Sequence, residues 1–199
     1  MSDPAGCEGF KPNRLKHTKC MSCMKDWREH PDSIDAQTAE LCLRAGQEKA
    51  PTKITENVYL GGWLAASGHT TLKKLGITGV INTAANLKYI FSNFKEAPEQ
   101  FEYLHLNLED TSEQPIEEHF EKCIQFINKH IASGGKVLSH CAQGASRSSC
   151  IVIAYIMSQQ RRPFDKVWIE VQAKRPCTNL LNSGFQRKLR RFQSDLGIK

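Results

Sequence analysis

Apolar and polar residues follow two different rhythms along the second half of the chain. Leu104, Leu106 and Leu108 alternate with Tyr103, His105 and Asn107, the two-residue period of a half-buried strand over 101–108. Ile116, Phe120, Ile124, Ile127 and Ile131 recur every three or four residues, which predicts a helix over 116–131. Shorter apolar runs at 54–60, 77–82 and 136–139 predict strands, the first closed by Gly61-Gly62. Residues 63–75 predict a helix that ends at Gly76, and 148–159 a strongly apolar one. Two more helices, 164–173 and 182–193, are divided by Pro176. Strands alternating with helices predict an α/β fold with a central mixed, partly parallel sheet flanked by helices.

Residues 1–50 have a different texture. The first thirty are rich in Lys, Cys, Gly and Pro and show little periodicity. A helix is expected over 33–47, with Asp32 or Ser33 as N-cap and Ile34, Leu41 and Leu43 among its apolar positions. Pro51 punctuates the chain, so 1–50 is read as an extension and 51–199 as the main domain. Cys20 and Cys23 have the spacing of half a zinc site, with Cys7, His17, His30 and Cys42 nearby. No second close pair follows, so a flexible or docking extension is the expectation, with no metal and no cofactor.

The 199 residues are 40% hydrophobic and 24% charged, as in an ordinary globular protein. The longest apolar run, 150–157, is too short to span a bilayer, and the N-terminus lacks the pattern of a secretory signal. The expectation is a cytoplasmic or nuclear protein without a membrane partner, whose eight cysteines are thiols rather than a disulfide framework. The net charge of +6 is uneven: residues 161–199 carry ten Lys or Arg against three acids, while 96–121 carry nine acids and no Lys or Arg. A basic surface suits anionic substrates in general, and a solvated helix face explains it equally well.

Candidate chemistry concentrates at 136–150, Lys-Val-Leu-Ser-His140-Cys141-Ala-Gln-Gly144-Ala-Ser-Arg147-Ser148-Ser-Cys150, which runs strand, loop, apolar helix. A loop entering a helix N-terminus turns several N–H groups inward and, with the helix dipole, makes an anion site. Gly144 admits a backbone conformation that a Cβ would oppose. A thiol at the start of the loop shares that positive field, which favours the thiolate. Arg147 offers a planar fork for two phosphate oxygens. Nucleophile, cradle and clamp thus converge on one tetrahedral anion, and attack on phosphorus would give a phosphocysteine.

The segment His140-Cys141-Ala-Gln-Gly-Ala-Ser-Arg147-Ser148 resembles the signature loop of protein tyrosine phosphatases, and most of all that of the small dual-specificity phosphatases, including the catalytic domains of MAP-kinase phosphatases. The similarity extends over about 54–194. It includes Ile54-Thr-Glu-Asn-Val-Tyr-Leu-Gly-Gly, Gly76-Ile-Thr-Gly-Val-Ile-Asn, Ala154-Tyr-Ile-Met, Arg175-Pro176 and Asn182-Ser-Gly-Phe185. Ser139 departs from it, since an apolar residue is usual there, and a buried hydroxyl needs a partner.

The resemblance implies a protein tyrosine phosphatase-like fold and hydrolysis of phosphotyrosine, with phosphoserine and phosphothreonine, without a metal. It implies Cys141 as nucleophile, Arg147 as clamp, and Ala142, Gln143, Gly144, Ala145 and Ser146 as a substrate-binding loop. Ser148 is read as hydrogen-bonding the sulfur or as a helix cap. His140 is read as steadying the loop rather than moving a proton. The expected general acid is Asp110, 31 positions before Cys141, with Glu109 and Glu113 as rivals. Asn182 is read either as a loop support or as a helix cap. Arg161, Arg162, Lys174 and Arg175 are left outside the site as surface charges. Cys150 is a candidate redox partner for Cys141. The expected partner is a phosphoprotein, with a MAP kinase as a candidate, rather than a nucleic acid. The sequence gives no oligomeric state. Two rival functions are a phosphoprotein-binding adaptor, and a phosphatase for RNA 5′-phosphate or phosphoinositide.

Overall fold

Among the described residues, five short strands carry the fold: β1 (Thr52–Lys53), β2 (Val58–Gly61), β3 (Ile77–Asn82), β4 (Glu102–His105) and β5 (Lys136–His140). The computed structural model describes residues 36–84 and 101–199. The helices are α1 (Ala36–Gln47), α2 (Trp63–Ala66), α3 (His69–Lys74), α4 (Phe120–Ala132), α5 (Arg147–Gln160), α6 (Phe164–Lys174) and α7 (Ser183–Asp195). Two 3-10 turns, Ile116–His119 and Pro176–Leu180, precede α4 and α7. Residues Ala45–Lys199 form one compact unit, and the packing below is within it.

The sheet order is β1-β2-β5-β3-β4. β1 runs antiparallel to β2, and the other pairings are parallel. The sheet is therefore mixed and mostly parallel, as the alternation of elements predicts. β5 lies in the middle, with His140 at its end opposite Gly61 of β2 and Asn82 of β3. In such sheets ligands bind beyond the carboxyl ends of the strands, and the 141–147 loop begins there.

Successive strand residues point to opposite faces, so a strand buried on both sides must be apolar throughout. Val58 and Leu60 join the larger core with Ile81 and Val137, while Tyr59, Val80 and Leu138 join a second cluster on the other face. Helices α4 to α7 cover the larger core; Leu72 of α3 and Phe101 cover the smaller one. In α5 every residue from Arg147 to Met157 is buried, as expected of a central helix that is apolar around its circumference.

Several boundaries differ from the sequence expectation. The strand expected at 54–60 starts at Val58, because 54–57 make a turn in which Ile54 and Thr55 donate to the Val58 carbonyl at 2.9 and 3.1 Å. The helix expected at 63–75 breaks at Ser67-Gly68, where the Ser67 hydroxyl donates to the Leu64 carbonyl at 2.8 Å. The strand expected at 101–108 ends at His105. There β3 runs out, and Leu106 donates to the carbonyl of Asn82, the last β3 residue. The alternation itself holds, with Leu104, Leu106 and Leu108 buried. Helix α1 is described from Ala36 onward, and the expected caps Asp32 and Ser33 lie outside the described residues.

Candidate active site

The loop after β5 is shaped by where its carbonyls go. Ala142 O accepts from the Trp63 N–H at 3.1 Å. Gln143 O accepts from Arg175 Nη2 at 2.8 Å, and Gly144 O accepts from Arg175 Nε at 2.8 Å and Ser149 Oγ at 3.3 Å. In a trans peptide the C=O and the next N–H point in opposite directions. Carbonyls bonded outward therefore turn the N–H groups of Gln143, Gly144 and Ala145 inward, and Gly144 N–H donates to Cys141 Sγ at 3.2 Å. Gly144 holds φ at +71°, and a Cβ there would lie 2.5 Å from the Gly61 backbone.

Cys141 is 2% exposed and packs against Ala84 and Trp63. Burial pushes its thiol up, but the nearby Arg147 charge and the Ser148 hydroxyl and N–H outweigh that, leaving it below its ordinary value. Ser148 Oγ lies 3.3 Å from the sulfur. Ser146, not Ser148, occupies the N-cap of α5, so of the two readings of Ser148 the structure keeps the contact with sulfur. Ser139, the next-to-last residue of β5, is fully buried and donates to the Ser148 carbonyl at 3.3 Å, which meets the need for a partner.

Arg147 is held from behind: its Nη1 donates to Leu108 O at 3.1 Å. Its Nε is buried without a hydrogen bond and lies 3.6 Å from Asp110 Oδ2. Asp110 Oδ1 accepts from Ser146 Oγ at 2.7 Å and from Asn182 Nδ2 at 3.4 Å. Of the three rival carboxylates, Asp110 is the one these contacts tie to the loop. All three are exposed, but no such contact ties Glu109 to the loop; its backbone N–H donates instead to the Gln114 side chain. His140 is buried at the end of β5, its Nδ1 3.4 Å from the Cys141 carbonyl. Burial, chiefly, lowers its pKa to about 4, so the ring is neutral at ordinary pH.

The family profile described as "Dual specificity phosphatase, catalytic domain" matches residues 58–195. The chain belongs to that family. It is 36% identical over 75% of its length to a Dictyostelium discoideum protein described as "Probable rhodanese domain-containing dual specificity protein phosphatase". It is 30% identical over 76% of its length to dual specificity protein phosphatase 1 of Arabidopsis thaliana, of which 73% is covered. The chain spans 30% of the length of the Dictyostelium relative. Among solved structures, the human tyrosine phosphatase-like serine/threonine/tyrosine-interacting protein matches with TM-score 0.65 and 32% identity, over 74% of this chain and 98% of that one. The fold is the protein tyrosine phosphatase-like one that the signature loop implies.

Within this dual specificity phosphatase domain, one residue that the sequence reading left out stands at the back of the loop. Arg175, read as a surface charge, is 2% exposed. Besides Gln143 O and Gly144 O, it bonds Glu48 Oε2 at 2.6 Å, Thr52 Oγ1 at 2.9 Å and Ala45 O at 3.4 Å. The signal was its place before Pro176, in a segment shared with the family. The two readings of Asn182 turn out to be compatible. Its Oδ1 caps α7 by accepting from Gly184 N at 2.8 Å, while its backbone N–H donates to Ser146 Oγ at 3.2 Å.

Cys150 is fully buried, and burial holds its thiol well above the ordinary value. The charges it feels are those of Asp110, Glu117 and Lys188, with Cys123 beside it. Cys7, Cys20, Cys23, His17 and His30, the zinc candidates, lie outside the described residues, as does the side chain of Cys42.

Proposed function

We propose that this domain hydrolyses phosphotyrosine, and also phosphoserine and phosphothreonine, in proteins by way of a phosphocysteine at Cys141. The observation that carries this reading is the placement of one sulfur, held toward its anionic form, beneath inward N–H groups and beside the Arg147 guanidinium. In the first step the Cys141 sulfur attacks phosphorus as the P–O bond to the substrate breaks. The bonding pair leaves with the oxygen, which takes a proton from Asp110. In the second step water attacks the phosphocysteine, gives a proton to Asp110 and releases inorganic phosphate and the thiolate. Arg147 and the loop N–H groups of 142–147 bear the charge on the three spectator oxygens, and Ser148 stabilises the departing sulfur. His140 stays neutral and braces the loop.

The adaptor alternative is disfavoured because thiol, guanidinium and carboxylate are all present and mutually placed. Phosphoinositide and RNA substrates are disfavoured because residues 142–146 bring no Lys or Arg to meet additional phosphates. The partner is a phosphoprotein, and a MAP kinase is a candidate on resemblance alone. A thiolate nucleophile suits a reducing setting, and the cytoplasm or nucleus is the location that goes with this reading. The same reading assigns 51–199 to the catalytic domain, and the bonds from Arg175 to Glu48 and Ala45 extend that assignment back to Ala45. The test is turnover of phosphotyrosyl and phosphothreonyl peptides, with acid quenching to capture phosphate on Cys141. Unaltered turnover by Cys141→Ser would end the reading.

A further inference from the structure

Ser146 sits at the N-cap of α5, where a Ser side chain ordinarily accepts from the N–H groups of the first turn. Here its hydroxyl makes no such bond. The oxygen instead accepts from the backbone N–H of Asn182 at 3.2 Å, and its own hydrogen goes to Asp110 Oδ1 at 2.7 Å. A hydroxyl has one hydrogen to give, and that hydrogen is committed. The side chain is also 5% exposed, so water competes little for it.

This arrangement distinguishes the two oxygens of Asp110. Oδ1 already accepts from Ser146 and, at 3.4 Å, from Asn182 Nδ2. A proton placed on Oδ1 would face two donors. Oδ2 accepts from neither; its nearest charged neighbour is Arg147 Nε at 3.6 Å, which makes no hydrogen bond to it. We infer that Ser146 is a positioning residue that keeps the acid proton of Asp110 on Oδ2, the oxygen on the side of the Arg147 clamp. The inference rests on the reading of Asp110 as general acid. In the first step the Oδ2 proton passes to the leaving oxygen as the P–O bond breaks and the Cys141 S–P bond forms. In the second, Oδ2 recovers a proton from the attacking water. By not capping α5, Ser146 also leaves the first-turn N–H groups to the anion.

The experiment compares phenyl phosphate, whose leaving group needs a proton, with 2,4-dinitrophenyl phosphate, whose leaving group does not. For Ser146→Ala the loss in kcat/KM on phenyl phosphate should exceed that on the dinitrophenyl ester by about tenfold or more. The excess should fall in kcat rather than KM. Ser146→Thr, which keeps the hydroxyl, should hold the wild-type ratio. If the alanine variant fails to fold, Ser146→Cys carries the same prediction, because a thiol is a weak donor. Equal losses on the two esters would overturn the inference by making Ser146 merely structural. Asp110→Asn is run alongside. If it too leaves the ratio unchanged, the general-acid reading itself falls. If it shifts the ratio and the Ser146 variant does not, only the role of Ser146 falls.

Discussion

Arg175 Nε donates to the carbonyl of Gly144 at 2.8 Å, from a point 31 residues further along the chain. The same guanidinium takes Gln143 O and the Glu48 carboxylate, so one buried cation fixes the two peptide planes that aim N–H groups at the phosphate site. Replacing it strips partners from buried carbonyls as well as from Glu48. Arg175→Ala is expected to cost about 2–4 kcal/mol, read by urea unfolding, and to raise KM for a phosphopeptide. Arg175→Lys keeps the charge but not the fork, and should recover less than half of that loss. Glu48→Gln, at a half-exposed partner, should cost under about 1 kcal/mol.

Gly144 gives a second expectation. Its φ of +71° disfavours any side chain, and a Cβ would strike backbone of Gly61 rather than a movable side chain. Gly144→Ala should leave the sheet intact by circular dichroism while displacing the loop. A fall of about a hundredfold or more in kcat is expected, the scale of a lost transition-state donor. Near-wild-type kcat would show that the loop tolerates the shift.

The thiol of Cys141 is set by opposing influences. Burial raises it, and Arg147 with Ser148 brings it below the ordinary value. Ser148→Ala removes a donor to the anionic form and should move the pH midpoint of Cys141 alkylation by iodoacetamide upward. Breakdown of the phosphoenzyme should slow as well, since the departing thiolate loses the same donor. A midpoint that stays put would assign Ser148 to packing alone.

His140 links folding to pH. Its ordinary pKa is 6.5 and burial takes the folded value to about 4. Above 6.5 neither state is protonated there. Between 6.5 and 4 the unfolded chain binds a proton that the folded chain refuses, so stability falls as pH falls through this window. The full loss is of the order of 3 kcal/mol below the window. Unfolding midpoints from pH 7 to pH 4 should therefore decline less steeply in His140→Asn than in the wild type. The wild-type pH–activity profile should show no inflection from this ring near neutrality.

Much of this was legible in the chain because the chemistry is contiguous. Cys141, Gly144, Arg147 and Ser148 fall within eight residues, and the strand before and helix after them dictate a loop whose N–H groups converge. Asp110 was singled out by the resemblance, which puts an acid after a strand and about thirty residues before the nucleophile, and its bond to Ser146 ties it to the loop. Arg175 was not legible, because its partners at 45, 48, 52, 143 and 144 are brought together only by the folded chain, and a lone Arg at the end of an amphipathic helix looks like any solvated charge. Ser146 was legible only as backbone. Its hydroxyl acquires a purpose from Asn182, which lies 36 residues away. The strand ends were misread where pairing stops for want of a neighbour, as at His105, a limit that no local pattern encodes.

Of the five acceptors around the Arg175 guanidinium, Ala45 O and Glu48 precede Pro51. A truncated protein begun at Pro51 would keep every atom of the phosphate cup and yet remove two fingers from the hand that grips it. Its failures would look like a damaged nucleophile while the sequence around Cys141 remained whole.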